Sequence, residues 1–264
     1  IRDSLYSGSI VDISQGAVVT LPDVGDRYLS MMVVNEDHFI NRVLREPGRH
    51  KLTVDEYDTP FVHLSMRVFV DPDDPHDVAI VNAAQDALEL ETGSHGPCAH
   101  ADFDPASLDH TRGLLLQLIN DVPDSRGAFG SRDDVNPIRH LLGTAAGWGG
   151  LPEYEASYVI NSDPRPAHHE QVTFRDVPVD AFWSITVYNR DGYFEANPYG
   201  RYSFNSITAT TDDDSVTIDF DVDDHDYTNH LPVMDGWNYP IRMYRPRQEI
   251  IYGRWTPPEP KPVR

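Results

Sequence analysis

Four potential metal ligands fall within one short stretch of the chain: His95, Cys98, His100 and Asp102. A thiolate and imidazoles so close together could hold zinc, but the paired spacing of structural zinc sites is missing. The stretch therefore reads as an ordinary loop, and neither a metal nor any other cofactor is assigned. Cys98 as a nucleophile would need His95 or His100 as its base. His168, His169 and Glu170 are a weaker set, since neighbours in an extended segment point to opposite faces. No GxSxG elbow, P-loop or HExxH run occurs, which argues against α/β-hydrolase, nucleotide-dependent and zincin chemistry.

Carboxylates offer a different chemistry. Glu153 and Glu155 lie beside a glycine-rich turn, and Asp180, Asp191 and Glu195 flank an aromatic strand. Two carboxylates across a cleft lined with Trp and Tyr would suit glycosidic bond cleavage, because aromatic faces pack on sugar rings while the acids share the proton transfer. With 43 acidic residues in the chain, any single one is more simply a solvated surface group.

Polar positions on otherwise apolar strands are more selective. They point to a catalytic set in which Arg242 holds an anionic group, His38 is general acid or base, Tyr188 stacks or donates, and Glu153 supplies a carboxylate. Asn35, Asp37, Trp148, Asn205, Trp237 and Tyr244 would bind substrate, with Trp148 and Trp237 in glycine-flanked turns, GWGG and DGWN. Trp183 alternates with core residues and reads as core. Such a cavity requires the two ends of the chain to face each other. The plainer alternative pairs Arg242 with a neighbouring acid and leaves the tyrosines to cover a sheet.

The elements that must position these residues follow from periodicity. Trp183, Ile185 and Val187 alternate with Ser184, Thr186 and Tyr188, as do Val216, Ile218 and Phe220 with Thr217, Asp219 and Asp221. Asn189-Arg190-Asp191-Gly192 predicts a tight hairpin with Tyr193-Phe194 returning. Near the start, strands are expected over 9–14, 17–21, 27–34, 49–54 and 61–70, the third apolar on both faces and therefore central. Asp74-Pro75, Asp104-Pro105 and Asn136-Pro137 each place a capping side chain before a proline at the first helical position, predicting three helices, the first running toward Gly93. The expected plan is a β module over 1–72, a helical connecting segment over 73–150 and a jelly-roll-like β module over 151–264. The fold class is mainly β: two β-sandwich or jelly-roll modules joined by a short helical middle segment.

A formal charge of −22 and a pI near 4.7 repel phosphate backbones and anionic lipid, so nucleic acid is not expected as a partner. No apolar run is long enough to span a membrane. One cysteine rules out an internal disulfide and leaves the compartment open, with export favoured over the cytoplasm. The start at Ile1, with no signal peptide, is read as a processed or truncated terminus. Sheet edges and flat aromatic strands make a homo-oligomer an expectation.

The runs VPVDAFWSITVYNRDGYFEAN and NHLPVMDGWNYPIRMYRPR, with the later GRW, resemble the bacterial family known as domain of unknown function 1214. IRDSLYSGSIVDIS, the proline-glycine turn after it and RYLSMMVVNEDHF resemble its usual N-terminal companion, domain of unknown function 1254. The resemblance names no reaction. Two readings of function stand beside it: a hydrolase or lyase acting on a carbohydrate or other small polar metabolite between the modules, and a non-catalytic binding or structural subunit of an envelope or extracellular assembly.

Overall fold

The computed structural model describes residues 2–98, 102–119, 122 and 124–263. The chain is mainly β and divides into two compact units, Arg2–Glu153 and Tyr154–Arg264.

In the first unit β1 (Ser4–Asp12), β2 (Ala17–Leu21), β3 (Leu29–Asn35), β4 (Arg42–Leu44) and β5 (Gly48–Leu52) precede the one-turn helix α1 (Val54–Tyr57). There follow β6 (Phe61–Phe69), α2 (Pro75–Asp86), β7 (Glu89–Thr92), α3 (Pro105–Ile119) and α4 (Pro137–Ala146). Two antiparallel sheets form, in the orders β1-β6-β3-β4 and β5-β2-β7. Alternate residues of both supply one core, with Met31 and Val33 of β3, Leu64 and Met66 of β6, and Val19 of β2 essentially inaccessible to solvent.

All three proline-led helices form where the sequence puts them, and their caps act as expected. Asp74 accepts from the His76 N–H, Asp104 from Ala106 and Ser107, and Asn136 from Ile138 and Arg139. The first helix is shorter than its apolar spacing predicts. It ends at Asp86, and Glu89–Thr92 becomes β7 because the edge of β2 is available, pairing Val19 with Leu90 and Ala17 with Thr92.

The second unit contains β8 (Ala156–Arg165), β9 (Glu170–Arg175), β10 (Trp183–Thr186), β11 (Ser203–Asn205), β12 (Ser215–Asp221), β13 (His230–Pro232) and β14 (Trp237–Tyr244). A short helix, α5 (Gln248–Ile251), and β15 (Lys261–Pro262) complete it. Its sheets run β11-β10-β14-β8 and β13-β12-β9-β15, with β12 and β13 parallel. Trp183, Ile185, Ile218, Phe220 and Ile241 fill the space between them. The Asn189 turn forms: its side chain accepts from the Asp191 and Tyr193 N–H groups, and Gly192 takes the positive φ. Tyr193 and Phe194 do not return as a strand, however. β10 pairs instead with β11, Ile185 opposite Phe204, and on its other side with β14. The proline-rich tail contributes β15, which pairs with β9.

Close approach at one glycine locks the helical part of the first unit. A Cβ on Gly150 would lie 2.2 to 2.5 Å from three atoms of the Phe129 ring. We expect Gly150→Ala to destabilise the protein by ~1–3 kcal/mol through overpacking, read as a lowered melting temperature. A second substitution, Phe129→Leu, should recover part of the loss. An unchanged melting temperature for Gly150→Ala would show that the ring moves aside freely.

Candidate functional site

The site residues expected from the sequence fall into two sets, one in each unit. In the first unit they gather at the end of β3. Asn35 is buried, and its Oδ1 accepts from the Asp37 and Phe39 N–H groups at 3.1 and 2.8 Å while Nδ2 donates to the Tyr57 carbonyl. It is a turn organiser, with its hydrogen-bonding capacity spent on backbone. Asp37 is exposed and pairs with Arg132 at 3.2 Å. Neither matches the substrate-binding role expected of it.

His38 departs from expectation for a clear physical reason. It takes a left-handed backbone conformation, φ 66°, and its ring is almost wholly buried. The Gly149 N–H donates to Nε2 at 2.9 Å, so Nε2 carries no proton. Nδ1 therefore holds the hydrogen and donates to Thr144 Oγ1 at 2.8 Å, and Thr144 in turn donates to the His140 carbonyl. Rings of His140, Phe129 and Trp148 surround it. Burial, with the nearby His140 as a lesser cause, pushes its pKa down to about 4. A general base needs a free lone pair facing a substrate. Here the lone pair is held by a backbone amide, and His38 instead ties the end of β3 to α4 and to the glycine turn.

Trp148 remains more than half exposed, with its ring edge-on to His63 and tilted against His38. Its ring face is open to solvent beside the GWGG turn. Glu153 is partly buried, and its Oε2 has no hydrogen-bond partner among the described residues.

In the second unit, three expectations fail for one reason: the residues are core. Trp237 is completely buried, stacks on Phe220 and donates Nε1–H to the Pro166 carbonyl at 3.1 Å. Tyr244 is buried against Phe182, with ring centroids 4.3 Å apart. Asn205 is buried, and its Oδ1 accepts from the Ile207 and Thr208 N–H groups. Of the other carboxylates, Asp180 pairs with Arg247 and Glu195 accepts from Asn189. His168 pairs with the buried Glu170, and His169 with Asp219. Of the zinc-type stretch, His100 lies outside the described residues; among those described, no group of three or more His, Cys, Asp or Glu is arranged to hold a metal.

Arg242 and Tyr188 do come together. The register of β11, β10, β14 and β8 aligns Asn205, Ser184, Arg242 and Tyr158 in one row across one face of the sheet. Arg242 is half-buried, donating to Thr186 Oγ1 at 3.0 Å and to the Tyr188 hydroxyl at 3.1 Å. Ser184, opposite it, is wholly buried, and its hydroxyl makes no hydrogen bond among the described residues. Beside Tyr188, the rings of Phe194 and Tyr202 continue an aromatic ledge with centroid spacings of 5.1 and 5.0 Å. Ser184 and Thr186 were not expected as site residues, though alternation with Trp183 and Ile185 already put them on the Tyr188 face.

Residues 162–248, within the second unit, match the family model described as protein of unknown function (DUF1214). The fold is similar to the crystal structure of the VPA0106 protein from Vibrio parahaemolyticus, 20% identical over 100% of this chain and 90% of that one, with a TM-score of 0.81. It is also similar to a putative uncharacterized protein from Burkholderia cenocepacia, 15% identical over 99% of this chain and 76% of that one, with a TM-score of 0.58. At these identities the likeness is one of fold. No curated protein matches the chain.

The state of His38 sets a pH dependence. Its ring takes up a proton near the ordinary value of 6.5 when unfolded but only near 4 when folded. Between those values the unfolded chain binds the extra proton, so its contribution to stability is complete above about pH 6.5 and drains away toward pH 4. Thermal denaturation across this range should show the melting temperature falling with acidity. His38→Asn, which tolerates the left-handed backbone, should be less stable at neutral pH by ~2–3 kcal/mol through two lost hydrogen bonds, with a shallower acid slope. A variant as stable as the parent at neutral pH would contradict the assignment.

Proposed function

We propose that the chain is a binding protein for a small acidic sugar or a similarly hydroxylated carboxylate, held on the Arg242 face of its second unit. The observation that carries this reading is the half-buried Arg242 guanidinium beside Tyr188, facing on the next strand a buried Ser184 hydroxyl that has no partner among the described residues. A buried hydroxyl left unsatisfied costs ~1–3 kcal/mol, and such deficits gather where a ligand completes the bonding. A ligand carboxylate suits the half-buried Arg242 guanidinium, since guanidinium and carboxylate match in charge and in planar geometry. The Tyr188, Phe194 and Tyr202 rings support the sugar part of the reading, because aromatic faces cover the apolar side of a pyranose.

Turnover by a hydrolase or lyase is not carried forward. The group assigned to proton transfer, His38, has both ring nitrogens in hydrogen bonds that hold the first unit together. We further propose that the first unit is a domain of unknown function 1254, paired with the 1214-like second unit.

The test is calorimetric titration of the purified chain with uronic acids, aldonic acids, neutral sugars and simple carboxylates. We expect an acidic sugar to bind and its neutral counterpart not to. Arg242→Gln should weaken binding ~10–100-fold, the value of a charge-assisted hydrogen bond, and Phe194→Ala, at a more exposed position, should weaken it less. Equal binding of neutral and acidic sugars, undiminished binding by a folded Arg242→Gln, or no binding across the panel would overturn the reading.

A further inference from the structure

The helical part of the first unit presents a surface that the described residues leave uncovered. α3 is fifteen residues long and has no buried residue. Helices of this length draw most of their stability from packing an apolar face, and α3 is rich in leucine. Arg112 ties it to α4 through the Ala145 carbonyl at 2.8 Å, and Leu115, Leu116 and Ile119 are half-buried. Leu108, Leu114 and Leu118 are each more than half exposed. At 100° per residue these three fall within an arc of about 120°, a continuous stripe. On α4, Leu142 and Gly143 are buried while Ile138 and Leu141, one turn apart, are exposed, and Phe103 just ahead of α3 is exposed too. The six exposed side chains together offer on the order of 700 Å² of mostly apolar surface. That exceeds the few hundred Å² usual for a monomer's patch and approaches the ~800 Å² each partner buries in a standard interface.

Charge indicates what covers it. The chain carries −22 overall, yet within residues 103–119 and 137–148 the formal charges cancel, Asp104 and Asp109 against Arg112 and Arg139. Two copies of so acidic a chain repel each other across most of their surfaces. A neutral apolar patch lets them meet without opposed carboxylates, whereas a basic partner would gain most elsewhere. We propose that α3 and α4 form a self-complementary dimer interface, each copy laying its leucine stripe against the other's about a two-fold axis. This proposal is independent of the ligand reading above.

The test is sedimentation equilibrium of the chain over two decades of micromolar concentration. We expect a species of twice 29.8 kDa, tightening as salt screens the repulsion between copies. Leu118→Glu and, separately, Ile138→Glu place a carboxylate in the patch at exposed positions. Each should weaken the dimer at least ~10-fold, the effect expected when a charge enters a packed apolar contact, with the circular dichroism spectrum unchanged. Leu118→Ser, a milder change, should weaken it by an intermediate factor and serves as the readout should the Glu variant unfold. A 29.8 kDa species at every concentration, a dimer that weakens with salt, or a dimer indifferent to all three substitutions would overturn the proposal.

Discussion

β3 is buried along its entire length on both faces, and the first unit is arranged to satisfy that demand. A strand without a polar side has to be covered twice. One face, with Met31 and Val33, meets the second sheet through the shared core. On the other face Ser30, Met32 and Val34 are equally buried. Met32 touches the glycine turn after α4, its Cε lying where a Cβ on Gly149 would come within 3.3 Å. That cover is irregular backbone, and irregular backbone needs specific hydrogen bonds to stay in place. His38 supplies them at both ring nitrogens, so a residue whose type suggests proton chemistry is spent on holding the cover against the sheet.

The second unit meets a different constraint. Its core between the two sheets is apolar and stacked with aromatic rings, Phe174 on Trp183 and Phe220 on Trp237. The remaining face of the sheet containing β10 and β14 is buried but polar, with Ser184, Thr186 and Arg242 set among tyrosines. Burying hydroxyls and a guanidinium is costly unless each finds a partner. Thr186 and Tyr188 provide two acceptors for Arg242, but the Ser184 hydroxyl has no partner among the described residues.

How much of this could be read from the sequence depended on whether the deciding contact was local. Each of the three helix starts is fixed by a cap and a proline a residue apart, and all three formed. The mainly β class followed from alternation that each strand carries within itself. Glu89–Thr92 was misread because the choice between another helical turn and a strand was settled by β2, some seventy residues earlier. Trp237 looked like a platform because glycine and aspartate precede it, yet its environment is set by Phe220 on another sheet. The Arg242 row was half legible. Alternation placed Ser184, Thr186 and Tyr188 on one face, but the register that sets Ser184 opposite Arg242 joins segments nearly sixty residues apart.

His38 is a neutral structural tie, held at both ring nitrogens. Nitrogen NMR of the imidazole, followed through a pH titration, tests it most directly. The account predicts a His38 ring protonated only at Nδ1 through neutral and mildly acid pH, with Nε2 shifted as a hydrogen-bond acceptor and the midpoint near 4. A ring that titrates near 6.5, or that exchanges between tautomers at neutral pH, would contradict the tie and return His38 to the list of groups free to move a proton.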